Sequence, residues 1–351
     1  MSLFVDIKKK LKGFSLDVSF ETNGEYLGIL GSSGSGKSMT LKCIAGIETP
    51  DEGRIVLNGK VLFDSYRKIN LKPQDRHIGY LFQNYALFPN MTVEENIGIG
   101  LLTSKIEKER RVSEIIKKFH LQGLEKKYPN QLSGGQQQRV AMARCIIYKP
   151  DILMLDEPFS ALDSHLKEKL QSEVLEFLKL YDGEVLMVTH SRDEVYKFCN
   201  NIVIIDKGNS ILLGNTKEVF RDPKLMEAAM LTGCKNISRC KVVSSNKVYA
   251  IDWDITLEIE KEIPKEINYI GIRAHSFEIV NTNFKTEKNI LDCQIDKIVE
   301  NVFEYSILLK NKNKENKNTI LYKIKKEEWD NRKDKEELYL KIPESSILFL
   351  K

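Results

Sequence analysis

The hydrophobic pattern changes character once along the chain. Up to about residue 232, short and nearly unbroken apolar runs recur at Glu25–Leu30, Ile152–Leu155, Glu184–Thr189 and Ile202–Ile205. All four read as strands, and the last three, short and apolar, are expected to be covered on both faces, as in a largely parallel sheet. Helical spacing separates them: Val112, Ile115, Ile116 and Phe119 fall at i, i+3, i+4 and i+7. Helical signals dominate from Phe88 to about Pro150, predicting a helical subdomain at about 88–150 inside an α/β domain of residues 1–232.

Beyond Gly233 the period shortens to two. Ile255, Leu257 and Ile259 alternate with polar residues, as do Leu291, Cys293 and Ile295, and similar runs follow at Tyr305–Leu309, Ile320–Ile324 and Leu338–Ile342. This predicts an all-β domain over 233–351, built as one or two small barrels. The lysine- and asparagine-rich run Lys310–Asn318 lies between two of those strands. No aromatic residue interleaves it, so it reads as a solvated hairpin loop and not as a nucleic-acid surface.

A length of 351 residues fits two domains, and an apolar fraction of 42% fits ordinary globular packing. Fifty-four basic against 50 acidic residues leave +4, too little for a polybasic argument. The six cysteines form no C-x-x-C pair and read as reduced thiols. No apolar run approaches the ~18–20 residues of a membrane span, and Met1–Lys12 carries four lysines without a signal-length apolar stretch behind them. A soluble intracellular chain is expected, held at any membrane by another protein. His77, His120, His165 and His275 show no metal-ligand spacing, so no structural metal is expected.

Three motifs carry chemistry. Gly31-Ser32-Ser33-Gly34-Ser35-Gly36-Lys37-Ser38 matches G-x-x-x-x-G-K-[ST] and sits between a predicted strand and a helix running through Thr40, Leu41 and Ile44 to Gly46. Its glycines let backbone N–H groups wrap phosphate oxygens at a helix N-terminus; Lys37 would reach the β- and γ-phosphates and Ser38 would bind Mg²⁺. The apolar run Ile152–Leu155 ends in Asp156-Glu157-Pro158. Two carboxylates at the C-terminal edge of a parallel strand suit metal holding, by Asp156, and polarisation of an attacking water, by Glu157. Leu132-Ser133-Gly134-Gly135-Gln136-Gln137-Gln138-Arg139 opens a helix whose core face is Val140, Ala143 and Ile147. Ser133, Gly134, Gly135 and Gln136 offer a second phosphate cradle, most economically for the nucleotide of another subunit.

Leu132–Gln136 resembles the signature of the ATP-binding cassette (ABC) ATPases, and other motifs of that family follow in order. Gln83, in Tyr80-Leu81-Phe82-Gln83-Asn84, resembles the glutamine that touches Mg²⁺ and the attacking water and senses the membrane partner. Ser160-Ala161-Leu162-Asp163 resembles the loop that crosses the dimer interface, with Asp163 facing the nucleotide. His190 stands where the family's switch histidine meets the γ-phosphate, and Ser191 and Glu194 have capping-box spacing behind it. The resemblance implies an α/β P-loop NTPase with a parallel-sheet core, an antiparallel β part and a helical subdomain. It also implies ATP and Mg²⁺ as cofactors and a head-to-tail homodimer. The family's adenine-stacking aromatic is not legible: its stretch reads Lys8-Lys9-Lys10-Leu11-Lys12, and Phe14 suits core packing better.

Cys43–Pro50, Gly53–Gly59 and Gly79–Pro89 are similar to ATPase subunits of bacterial importers, particularly the molybdate, sulfate and tungstate group. Thr232–Ser238, Ile270–His275 and Leu338–Pro343 resemble that group's C-terminal extension, with an OB-like, oxyanion-binding barrel over about 286–351. Ser306, Lys341 and Ser345 are loose candidates for such a site and are not assigned. The implied function is ATP-driven import of an oxyanion, molybdate first. The implied setting is the cytoplasmic face of the membrane, with permease subunits and, indirectly, an extracytoplasmic solute-binding protein, and without nucleic acid. Importers of sulfate, tungstate, iron or polyamines, a non-transport ABC ATPase and a P-loop kinase stay open as alternatives. The segment Asn84–Pro89, with Tyr85, Leu87 and Phe88, is the candidate docking groove for a permease helix, ordinary core packing being its alternative.

Overall fold

The structure, a computed structural model, describes residues 2–160, 164–179, 181–260, 262–280, 288–312, 318–331 and 337–351. It divides into two compact units, Met1–Lys217 and Glu218–Lys351. The described strands of the first unit form one mixed sheet. They are β1 (Leu3–Leu11), β2 (Phe14–Thr22), β3 (Leu27–Leu30), β4 (Glu52–Leu57), β5 (Lys60–Asp64), β6 (Ile69–Asn70), β7 (Ile78–Leu81), β8 (Ile152–Asp156), β9 (Glu184–Thr189), β10 (Asn201–Asp206) and β11 (Asn209–Asn215). Their order is β6-β5-β4-β1-β2-β11-β10-β3-β9-β8-β7. The run from β10 through β3, β9 and β8 to β7 is parallel, whereas β6, β5, β4, β1 and β2 pair antiparallel.

The apolar runs fold as expected. β3, β8 and β9 are buried along their whole length. They carry two charges, Asp156 at the end of β8 and Glu184 at the start of β9; Glu184 is 1% exposed and accepts from Thr22 Oγ1 at 2.9 Å and Gly24 N–H at 2.8 Å, so its burial is compensated. The lysine-rich N-terminus is itself a strand. Leu3, Val5 and Ile7 of β1 and Leu16, Val18 and Phe20 of β2 alternate inward, and a two-residue turn, Lys12-Gly13 with Gly13 at φ 78°, joins them.

Among the described residues six α-helices lie wholly in this unit: α1 (Lys37–Ala45), α2 (Val93–Gly98), α3 (Lys105–Lys118), α4 (Gly134–Ile146), α5 (Ser164–Leu178) and α6 (Arg192–Phe198). The helical stretch between Phe88 and Pro150 contains α2, α3 and α4, and α3 buries Val112 and Ile116 as its periodicity predicts. α6 lies close on β3 because residue 28 is glycine: a Cβ there would stand 2.9 Å from Val195 Cγ1 and 3.0 Å from Cys199 Sγ.

The second unit has two antiparallel five-stranded sheets among its described residues. Its strands are β12 (Asn236–Ser244), β13 (Lys247–Ala250), β14 (Ile255–Glu258), β15 (Tyr269–Ile272), β16 (Glu278–Val280), β17 (Ile290–Glu300), β18 (Glu304–Asn311), β19 (Ile320–Lys325), β20 (Glu337–Lys341) and β21 (Leu348–Leu350). The sheets run β14-β13-β12-β15-β21 and β16-β20-β17-β18-β19, and they share one apolar core that includes Trp253, Phe277 and Trp329. After Leu338–Pro343 the chain leaves its sheet, and β21 returns to pair with β15. The short helix Met226–Leu231 belongs here by packing, since Ala229 joins Cys234, Leu348 and Leu350 in a small cluster. Ser306 pairs with Val299 of β17 while Lys341 pairs with Ile290. Nine residues of strand, about 30 Å, separate those positions, so Ser306 and Lys341 cannot hold one anion within a single chain.

Candidate active site

Gly31–Ser38 forms a cradle at the end of β3. Gly36 is the N-cap of α1 in the left-handed region, φ 105°, and gives no side-chain cap. The first N–H groups of α1 therefore have no side-chain capping oxygen and are open to an anion. Crowding explains why the loop needs glycine. A Cβ on Gly31 would lie 2.3 Å from Ile205 O and 2.5 Å from Ser35 Oγ. Ser35 is 2% exposed, and its hydroxyl has no hydrogen-bond partner. Lys37 is 5% exposed and donates from Nζ to Gly31 O at 3.0 Å and Ser32 O at 2.8 Å. Burial lowers its pKa, while Glu157 and Asp156 act in the opposite sense.

Asp156 ends β8 and is 5% exposed. Ser38 Oγ donates to Asp156 Oδ1 at 2.8 Å and Tyr80 OH to Oδ2 at 2.9 Å. Burial, with Asp156 beside it, raises the Tyr80 pKa, so the phenol stays a proton donor. A serine hydroxyl and a carboxylate on one spot are the hard oxygen ligands that suit Mg²⁺.

Three neighbouring strand ends bring Gln83, Glu157 and His190 together. They follow β7, β8 and β9, which lie side by side in the sheet. Glu157 has φ 46° and donates its N–H to Val188 O at 2.9 Å. A non-glycine residue held in that region is strained and fixed by its surroundings. His190 Nδ1 lies 3.3 Å from Glu157 Oε1. Gln83 Nε2 donates to Glu157 Oε2 at 3.3 Å and to Ser160 Oγ at 3.2 Å. A carboxylate is thus flanked by an imidazole and an amide at the C-terminal edge of parallel strands, where such sheets bind ligands.

The sequence profile of the family described as ABC transporter matches residues 11–160. The molybdate/tungstate import ATP-binding protein WtpC of Pyrococcus horikoshii is 36% identical over 298 residues, 83% of this chain and 84% of that one. This chain belongs to the ABC transporter family. It is an import ATP-binding subunit, and its enzymatic activity is ATP hydrolysis coupled to transport. The spermidine/putrescine import ATP-binding protein PotA of Clostridioides difficile is 34% identical over 303 residues, 85% of this chain and 83% of that one. Among solved structures, a dimeric ATP-binding cassette in a post-hydrolysis state bound to ADP and Pi is 29% identical. It covers 62% of this chain and 99% of its own, with a TM-score of 0.52.

The ABC signature opens α4 as a complete capping box: Ser133 N–H donates to Gln136 Oε1 at 2.9 Å and Gln136 N–H to Ser133 Oγ at 3.4 Å. Gly135 is buried, and a Cβ there would meet Leu170 Cδ2 at 3.1 Å. Among the described residues, none of Ser133–Gln136 is hydrogen-bonded to the phosphate loop or to the Gln83–Glu157–His190 group. Asp163 lies outside the described residues. Tyr85 is buried, whereas Phe88 is 43% exposed; Arg144 donates to Tyr85 O and Ala86 O and lies over the Phe88 ring.

Phe14 is half-buried against the core and also borders the phosphate loop, its Cζ 3.0 Å from where a Gly36 Cβ would stand. With Gly13, Ser15, Ser32–Ser35 and Lys207 it lines a cavity of about 440 Å³ beside that loop. A larger cavity, about 930 Å³, follows α2 and α3 and contains none of the candidate catalytic groups. Sequence reasoning missed Tyr80. Its signal is a tyrosine in an otherwise apolar strand beside Gln83, since a buried phenol needs a partner.

Proposed function

We propose that this ABC importer ATPase works as a homodimer of MgATP sites that energises uptake of an oxyanion, molybdate or tungstate foremost. The observation that carries the catalytic part is the convergence of Gln83 and His190 on the Glu157 carboxylate. In this reading the phosphate loop N–H groups and Lys37 hold the β- and γ-phosphates, and Ser38, Asp156 and Gln83 hold Mg²⁺, which neutralises phosphate charge when bound. Glu157 accepts a proton from water as the water oxygen bonds to the γ-phosphorus. The bond from that phosphorus to the β–γ bridging oxygen breaks, leaving ADP and phosphate. Gln83 orients the water, and His190 donates to the γ-phosphate. Ser133–Gln136 and Asp163 serve the nucleotide of the second copy.

The oxyanion reading is supported by a molybdate/tungstate import protein that matches well beyond the ATPase unit, over 83% of this chain. The spermidine/putrescine relative at 34% identity keeps polyamine import as the second reading. Among the described residues no helix is long and apolar enough to cross a membrane; permease subunits would hold the ATPase peripherally at the cytoplasmic face. A regulatory oxyanion at the C-terminal barrel would have to use other groups than Ser306 with Lys341 of one chain, or a junction between copies.

Glu157→Gln tests the catalytic assignment. It is expected to leave ATP binding intact and to lower turnover by the ~10²–10⁴ of a lost general base, read by steady-state phosphate release and by binding of a fluorescent ATP analogue. Wild-type turnover in this variant would place the base elsewhere.

A further inference from the structure

The carboxylate of Glu194 is not used where its position in the sequence points it. Glu194 is the third residue of α6, and Ser191 Oγ accepts its N–H at 3.4 Å. A capping box would return the Glu194 carboxylate to Ser191 N–H. Instead Ser191 N–H goes to Thr189 Oγ1 at 3.0 Å, and the carboxylate turns inward. Its Oε2 accepts from Thr189 Oγ1 at 2.5 Å, and its Oε1 meets Lys167 Nζ at 2.6 Å. Glu194 is 3% exposed, so Lys167 is the cation that makes its burial tolerable. Lys167 itself stands in the first turn of α5, where the helix dipole disfavours a cation. α5 gains nothing locally from this arrangement, whereas the Glu194 carboxylate, in the first turn of α6, suits that helix's dipole. A second rung, Lys197 Nζ to Gln171 Oε1 at 3.1 Å, repeats the link one turn further along both helices.

We propose that Lys167 and Glu194 are a positioning pair that ties the N-terminal turn of α5 to His190. Thr189, hydrogen-bonded to the pair, directly precedes His190, whose ring faces Glu157. Lys167 follows Asp163 by four residues and Ser160 by seven, and Ser160 Oγ receives the Gln83 amide. A shift of α5 at that end would therefore be felt, through Lys167 and Glu194, at Thr189 and turn His190. The inference rests on His190 acting on the nucleotide.

The test is a cycle of Lys167→Met, His190→Ala and their double variant, with Lys167→Arg as the conservative partner. Lys167→Met is expected to lower kcat by between about 10- and 100-fold, the scale of a misplaced catalytic group, with ATP affinity per folded site unchanged. Lys167→Arg restores kcat to within about twofold, since it keeps the charge. In the His190→Ala background, Lys167→Met causes no further loss. Without nucleotide, the His190 imidazole ¹⁵N resonances, identified by their absence in His190→Ala, shift in Lys167→Met and return in Lys167→Arg. Additive losses, unmoved imidazole resonances or an unchanged kcat in Lys167→Met would each overturn the proposal and leave the pair a packing feature. Full activity in His190→Ala alone would instead overturn the catalytic reading of His190. Should Lys167→Met not fold, Lys167→Gln takes its place under the same criteria.

Discussion

Ser38 and Tyr80 each donate one hydroxyl hydrogen to Asp156, one to each carboxylate oxygen. The serine was legible in the sequence because its neighbours Gly36 and Lys37 form a loop with only one common purpose. The tyrosine was not, because nothing in Ile78-Gly79-Tyr80-Leu81 says which strand will lie beside it; that is fixed by the β7–β8 pairing. Tyr80→Phe keeps the ring and its packing but leaves Oδ2 of a carboxylate 5% exposed without its donor. The expected cost is about 1.5–3 kcal/mol of stability, the range for a hydrogen bond to a charged group. Urea unfolding would read it as a lower midpoint with an unchanged m-value. A loss below about 0.5 kcal/mol would mean that water replaces the phenol. Glu157 offers the complementary lesson. The sequence named the residue, but its φ of 46° and its N–H bond to Val188 O show how the backbone aims it.

At the scale of elements, legibility followed burial on two faces. β8, β9 and β10 were readable because their inner stretches Ile152–Leu155, Val185–Val188 and Ile202–Ile205 are apolar, and α3 because one stripe of it is. β1 was hidden by its own lysines: Lys8 and Lys10 are exposed and alternate with Ile7, Lys9 and Leu11, so the inward face reads only in register with β2 and β4. The expected capping box behind His190 formed by half, because Glu194 found a stronger partner in Lys167. Gly28 shows a constraint that pattern alone does not carry. In a strand it reads as a weak residue, yet it is what admits Val195 of α6 and Cys199 at that helix's end. Gly28→Ala would push α6 off the sheet, at an expected 1–3 kcal/mol for overpacking. Because α6 starts just behind His190, the same variant should lower kcat more than it raises KM for ATP. Thermal unfolding together with steady-state kinetics checks both parts. A loss of stability with kcat unchanged would show that the strain stays within the packing and does not reach the histidine.

At the scale of the whole molecule, the candidate catalytic groups divide into two sets that, among the described residues, one chain does not join. In the first set, Ser38 of the Gly31–Ser38 loop is hydrogen-bonded to Asp156, whose chain neighbour Glu157 meets Gln83 and His190. The signature residues Ser133–Gln136 form a helix start whose side chains are spent on each other, with N–H groups and a helix dipole as what remains to offer an anion. An ATP phosphate held by the first set in one copy and by the second set in another would be a ligand with affinity for the dimer alone. Mass action then requires MgATP to shift the chain toward dimer, by an amount that grows with nucleotide concentration. Hydrolysis would reverse the shift, so Glu157→Gln is the form in which to see it. Light scattering of this variant should move from the 40.4 kDa of one chain toward twice that on adding MgATP. Lys37→Ala in the same background should prevent the shift by removing a charge-assisted phosphate contact. Ser133→Arg should prevent it too, by crowding the second cradle, while leaving nucleotide binding to the monomer intact. A dimer already complete without nucleotide, or a monomer that ignores MgATP, would separate nucleotide binding from association and remove the two-copy site.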